Sequence, residues 1–303
     1  MIRKVKDIAI KDLVMVDIFC PVGRIQQMVF EKRCNYFLVV DDGEIIGVLT
    51  LKELIKTHPN RIAVDAVSGN YDFISVEASF WEAKDIMKRK DVEILIAREG
   101  KEIQGIITQD IIEVELGKHF DLLTELYKSD FIYFMAEKLV KSGTDFSVIF
   151  VDINNFGKIN KVYGHIEGNA ILKEVSKLLI SSIPKGTYIC RFGGDEFVIL
   201  VPLDVADPKE IAYNLVSIVS SYSFHDNIVV SISAGIVPES LRNVKAYIDN
   251  NLDNIRDKQS SKLCLYISNI INSASLACSK AKLENTNVNI CNDIKCEKYN
   301  AIV

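Results

Sequence analysis

Ile45-Ile46-Gly47-Val48-Leu49-Thr50 recurs as Ile103-Gln104-Gly105-Ile106-Ile107-Thr108, with the two glycines 58 residues apart (105 − 47). At the same spacing the apolar run Tyr36-Phe37-Leu38-Val39-Val40 meets Ile94-Leu95-Ile96-Ala97-Arg98. Ile25, Met28 and Val29, at helical steps, meet Ala83, Ile86 and Met87. Each unit reads helix, strand, acidic or glycine turn, strand, Gly-x-x-Thr, helix. A unit this short buries little apolar surface alone. The repeat therefore predicts two units packed as a pair over residues 1–115, at about 1–58 and 59–115.

A different pattern starts at Phe146. An apolar strand runs to Asp152, followed by a polar stretch with Gly164 and a helix carrying Ala170, Ile171, Val175, Leu178 and Leu179. Then come Tyr188-Ile189-Cys190-Arg191-Phe192, the turn Gly193-Gly194-Asp195-Glu196, and Phe197-Val198-Ile199-Leu200-Val201. Pro208 opens another helix, and Ile228 to Ser233 reads as a strand. Strand, helix, hairpin, helix, strand predicts a ferredoxin-like sheet with helices on one face, within an α+β chain. In that topology the first strand lies beside the hairpin, which brings Asp152 to the tip that carries Asp195 and Glu196. Glycines there permit a tight turn and a close ligand. Three crowded carboxylates repel and call for a hard divalent cation, Mg2+ or Mn2+, itself bridging to phosphates. Taken alone, Gly-Gly-Asp-Glu is more often an exposed hairpin tip.

Between the halves, Ile112, Leu116, Phe120, Leu123 and Tyr127 recur at helical steps. The stripe predicts a linking helix over 116–135, joining the halves, pairing with a second copy or lying on its own domain. The formal net charge of −5 argues against nucleic acid and anionic membrane surfaces as partners. No apolar run reaches the roughly 18 residues of a membrane span, and the start lacks a signal peptide's apolar core, so a cytoplasmic protein is expected. Seven scattered cysteines without a CxxC pair read as reduced thiols. Cys291 and Cys296 lack a second ligand pair for zinc.

The first half resembles a tandem pair of cystathionine-β-synthase (CBS) modules, a Bateman module. Such pairs often bind adenine nucleotides in their cleft, with an acid three residues after the threonine on the ribose. Glu53 follows Thr50 at that distance; Ile111 follows Thr108, and Asp110 stands one place early. The resemblance implies Thr50, Glu53, Thr108 and Asp110 as ligand candidates. A pair that only oligomerises stays open.

The series Asp152-Ile153-Asn154-Asn155-Phe156, Asn160, Tyr163-Gly164-His165, Gly168 and Arg191 to Phe197 resembles the GGDEF domain of diguanylate cyclases over 121–289, leaving 290–303 as a tail. The resemblance implies a fold like the palm of nucleotidyl cyclases, and condensation of two GTP into cyclic di-GMP with release of two pyrophosphates. Each domain then holds one GTP, so a homodimer is implied. Carried over by position, Asp152 and the Ile153 carbonyl hold Mg2+. Asp195 also binds metal and is the suggested base for the 3′-hydroxyl, and Glu196 completes the site. Asn160 and Asn169 contact guanine, and Lys282 binds phosphate. Departures cluster on substrate contacts. Gly157 stands for a lysine, Asn169 for an aspartate and Thr286 for a phosphate-binding arginine. The opening motif is altered after Asp121-Leu122-Leu123-Thr124, and Ala274-Ser275 replaces Ala-Asp. The stretch from Gly235 to Ala274 is longer than usual. Pro184 and Thr187 replace the Arg-x-x-Asp product site, so feedback inhibition there is not expected. The alternative is a catalytically degenerate domain that binds nucleotide or a partner as a regulator.

Overall fold

The computed structural model describes residues 3–239 and 259–291, and the chain divides into two compact units between Lys118 and His119. The first unit holds α1 (Val5–Ile8), β1 (Val14–Asp17), α2 (Val22–Lys32), β2 (Tyr36–Asp41), β3 (Glu44–Thr50) and α3 (Leu51–Lys56). These are followed by β4 (Tyr71–Ser75), α4 (Phe80–Lys90), β5 (Ile94–Glu99), β6 (Glu102–Thr108) and α5 (Gln109–Lys118). Each repeat forms a three-stranded sheet, β1-β2-β3 and β4-β5-β6, with a parallel lead strand and an antiparallel hairpin. The repeat extends to irregularities. Both hairpins bulge, at Val39/Val40 and at Ala97/Arg98. Both α2 and α4 end on a left-handed residue, Arg33 (φ 51°) and Asp91 (φ 53°).

The segments leading into the repeats are exchanged. Ile10, just ahead of β1 in the first repeat, pairs with Ile106 of the second, and Ser68, just ahead of β4 in the second, pairs with Val48 of the first. Gly47 and Gly105 make room for this. A Cβ on Gly47 would stand 2.6 Å from Val67 Cβ, and one on Gly105 2.6 Å from the Ile10 carbonyl oxygen. Leu38, Val48, Ile94, Ile96 and Ile106 form one buried cluster drawn from both repeats.

The second unit holds β7 (Phe120–Asp121), β8 (Leu126–Lys128), α6 (Ser129–Ser142), β9 (Phe146–Ile153), α7 (Phe156–Ser182), β10 (Tyr188–Gly193) and β11 (Glu196–Pro202). It continues with α8 (Pro208–Ser221), β12 (Ile232–Glu239), α9 (Gln259–Glu284) and β13 (Val288–Ile290). Among the described residues the sheet order is β13-β12-β9-β11-β10-β8-β7. The central four strands have the ferredoxin-like order, with β9 between β12 and the β10–β11 hairpin. The α+β class holds.

Three expectations need correction. The helix expected over 116–135 is absent: α5 ends at Lys118, and β7 and β8 form a small hairpin before α6 starts at Ser129. Phe120 and Tyr127 of the stripe face each other across that hairpin as an edge-to-face ring pair, 5.7 Å between centroids. Glu125 (φ 59°) turns the chain there. Helices cover both faces of the sheet rather than one. Ile149, Val151, Phe197 and Ile199 pack with Ile171 and Val175 of α7 and Leu215 and Val219 of α8, while α6 and α9 lie on the other face. Burial on both sides explains the unbroken apolar runs of β9 and β11. The strand expected over 228–233 starts at Ile232. The long segment after Gly235 falls partly, and the tail from 292 wholly, outside the described residues, as does Cys296. No helix among the described residues is long and apolar enough to cross a membrane.

Candidate functional site

The acidic residues converge through strand register. Asp152, next to last in β9, faces Glu196 on β11 and Ser233 on β12. The hairpin tip reaches the same end, where the Ile153 amide donates to the Asp195 carbonyl at 3.3 Å. The tip glycines act through space, and neither lies in the left-handed region. A Cβ on Gly193 would stand 2.8 Å from the Glu196 carboxylate, whereas Gly194 faces open space.

The electrostatics follow from crowding. Burial, then the charge of Asp152, pushes the Asp195 carboxyl above the ordinary range, against Lys282 and Arg191. Burial, then Asp152 and Asp195, does the same to Glu196, against Lys282. Lys282, in the last turn of α9, pairs with Asp152. This oxygen-rich, negatively charged donor set fits a hard divalent cation. Among the described residues, however, no three Asp, Glu, His or Cys side chains stand as a ready metal-ligand group.

The sequence reading gave Arg191 no role, yet it ties the site together. Its guanidinium donates to the Gly194 carbonyl at 2.9 and 2.7 Å and to Asp121 Oδ2 at 2.7 Å. Asp121 also accepts from the Thr124 hydroxyl and, at 3.3 Å, the Thr124 amide. Burial would raise its carboxyl, but these bonds outweigh it and hold Asp121 below the ordinary range. The signal lay in Asp-x-x-Thr and Arg-x-Gly-Gly, two motifs that read separately.

The remaining expected residues are placed differently. Asn160 lies against Gly168, where a Cβ would stand 1.9 Å from its Oδ1, across the break in α7 at Gly164 (φ 86°). Asn169 is exposed, and Gly157 has open space where a side chain would stand. Thr187 bonds back to the Pro184 carbonyl at 2.7 Å, a closed local turn where the product site would be. Cys278 is buried, its thiol pushed up to about 12 by burial, and is no nucleophile.

In the first unit, Glu53 is turned back onto the start of α3, accepting from the Thr50 amide at 3.0 Å and from the Thr50 hydroxyl. A cavity of about 310 Å³ is lined by Tyr36, Thr50, Glu93, Ile94, Thr108, Gln109 and Asp110. Thr50, Thr108 and Asp110 thus share a space, while Glu53 caps its own helix.

Residues 118–261 match the family described as "Diguanylate cyclase, GGDEF domain", and residues 5–59 match the CBS domain. Over these segments the chain is similar to the GGDEF-domain and CBS-domain families. Its relatives include the diguanylate cyclase DgcS of Shewanella oneidensis, 28% identical over 55% of this chain and 61% of that protein. The response regulator PleD of Caulobacter vibrioides is 31% identical over 50% of this chain and 37% of that one. The chain spans between a fifth and three fifths of the length of DosC of Escherichia coli and DgcS. Among solved structures, the coiled coil and GGDEF domain of DgcB from Caulobacter crescentus, in complex with c-di-GMP, aligns at 19% identity. It covers 60% of this chain and 91% of that one, with a TM-score of 0.44.

Proposed function

We propose that the second unit is a diguanylate cyclase domain, which takes GTP with a divalent cation and condenses two GTP into cyclic di-GMP, releasing two pyrophosphates. The observation that carries this reading is the cross-strand pairing of Asp152 with Glu196, with Asp195 at the adjoining tip and Lys282 over them. In this reading Asp152, Asp195 and Glu196 would hold Mg2+ or Mn2+. The bound cation would neutralise the triphosphate and make the attacking hydroxyl more acidic. Asp195 accepts the proton of that 3′-hydroxyl. Arg191 fixes the tip through Gly194, so that Asp195 does not have to be ordered when substrate arrives. Asn160 and Asn169 hold guanine, and Lys282 the phosphates. Two copies meet in the cytoplasm, each holding one GTP, and the first unit governs that encounter, with an adenine nucleotide in the cavity around Thr50, Thr108 and Asp110.

A second reading has its own observation: Gly157, Asn169 and Thr286 leave three substrate contacts weakened. Each charged hydrogen bond lost in a dry site costs on the order of 1.5–3 kcal/mol, so the domain in this reading binds nucleotide without turning it over. The deciding experiment incubates the whole chain, at high concentration, with GTP and Mg2+ or Mn2+. Cyclic di-GMP and pyrophosphate, lost in Asp195→Ala, support the cyclase. Absence of product, with wild type and Asp195→Ala alike, leaves the regulator.

A further inference from the structure

The Lys282–Asp152 pair is set by backbone placement. Cys278, one turn earlier on α9, donates its thiol to the Ser233 carbonyl at 3.2 Å, and Ser233 is the cross-strand neighbour of Asp152. Gly235 lets α9 approach β12 so closely that a Cβ there would stand 2.0 Å from the Ala274 carbonyl oxygen and 2.2 Å from the Cys278 amide nitrogen. The next turn of α9 then brings Lys282 onto Asp152, with the two side chains 33% and 20% exposed. Arg191 is held elsewhere, by Gly194 and Asp121. An ammonium therefore sits on one of the carboxylates that a cation would use.

We propose that Lys282 is the resident counter-ion of the acid row, occupying Asp152 in the free protein and competing with a divalent cation for it until nucleotide phosphates draw the lysine away. This rests on the reading of the acids as a cation–nucleotide site. Two positive groups cannot share one carboxylate oxygen at contact distance without strong repulsion. A triphosphate offers the ammonium a replacement partner at least as good. Cation and nucleotide are then coupled, and the coupling is reciprocal: each tightens the other by the same factor.

The test is calorimetric titration of MnCl2 into the full chain, with and without a non-hydrolysable GTP analogue. Without nucleotide, Lys282→Met is expected to bind Mn2+ at least about fivefold more tightly than wild type, the lower end of common coupling between sites. The tightening caused by the analogue should shrink by the same factor. Lys282→Arg, which keeps the competing charge, should stay near wild type. Mn2+ affinity unchanged or weakened in a folded Lys282→Met overturns the proposal and leaves the cation site standing. Should Lys282→Met fail to fold by circular dichroism, wild type decides. Mg2+ should speed acetylation of Lys282, read by peptide mass spectrometry, and an equal or slower rate overturns the proposal. No Mn2+ binding by wild type, even with the analogue, removes the cation site and the proposal together.

Discussion

Arg191 shows how one side chain organises a site whose acids it does not touch. It joins Asp121 to the Gly194 carbonyl, so the end of β7 braces the tip that carries Asp195. Arg191→Met should remove this brace, leave Asp121 without its cation, and cost about 1.5–3 kcal/mol, a fall of roughly 5 °C in melting temperature. The pH dependence has a definite sign. The Asp121 carboxyl is depressed in the folded protein, so its contribution is full above the ordinary carboxylate pKa and fades as pH falls through the lower folded value. The melting gap between wild type and Arg191→Met should therefore be widest near neutrality and close below about pH 4; a constant gap would show that Asp121 is not the partner that matters. The convergence of Asp152 with Asp195 and Glu196 could be expected from an apolar strand lying beside a glycine hairpin, whereas Lys282 entered only through the family resemblance. The role of Arg191 was not legible in the sequence, because its partners are a backbone carbonyl and a carboxylate 70 positions away.

At the scale of elements, close backbone approaches decide what fits. Gly235 seats α9 on β12, and the atoms in the way of a Cβ are backbone that cannot swing aside. Gly235→Ala should cost on the order of 3 kcal/mol and, by lifting α9, withdraw Lys282 from Asp152. Gly47 and Gly105 admit the exchanged leading segments, but their obstacles differ. The Ile10 carbonyl oxygen crowds Gly105, whereas the Val67 Cβ crowds Gly47. Gly105→Ala should thus destabilise the first unit more than Gly47→Ala, each by about 1–3 kcal/mol, measured by denaturant unfolding. Equal effects would mean that the two leads yield alike. The repeated glycines, strands and helices were readable from their common spacing. The exchange was not, since pairing between distant segments leaves no periodicity. The false helix over 116–135 arose because Phe120 and Tyr127 meet across a hairpin at a separation that also fits two helical turns. What decided against the helix was the Asp121–Thr124 bonding and the left-handed Glu125, local polar terms that an apolar stripe does not weigh.

For the whole molecule, the chemistry proposed here requires two chains. The acid row serves one nucleotide, and a cyclic dinucleotide needs two phosphodiester bonds, each made by the 3′-hydroxyl of one GTP on the α-phosphate of the other. Product per protomer should accordingly rise with protein concentration at low concentration and level off once pairs dominate. A strictly constant specific rate would sink a transient encounter. Mixing is more telling. In a pair of wild type with Asp195→Ala, one half can activate its hydroxyl and the other cannot, so one bond forms and the second stalls. Adding excess Asp195→Ala to a fixed amount of wild type should lower cyclic di-GMP and raise the linear dinucleotide pppGpG, resolved by ion-pair chromatography. If cyclic product falls without any linear intermediate, the Asp195→Ala half fails to hold cation and nucleotide, and the cation-holding role of Asp195 outweighs its role as base. If nothing changes, the active species contains a single chain, and the first unit regulates something other than the meeting of two domains.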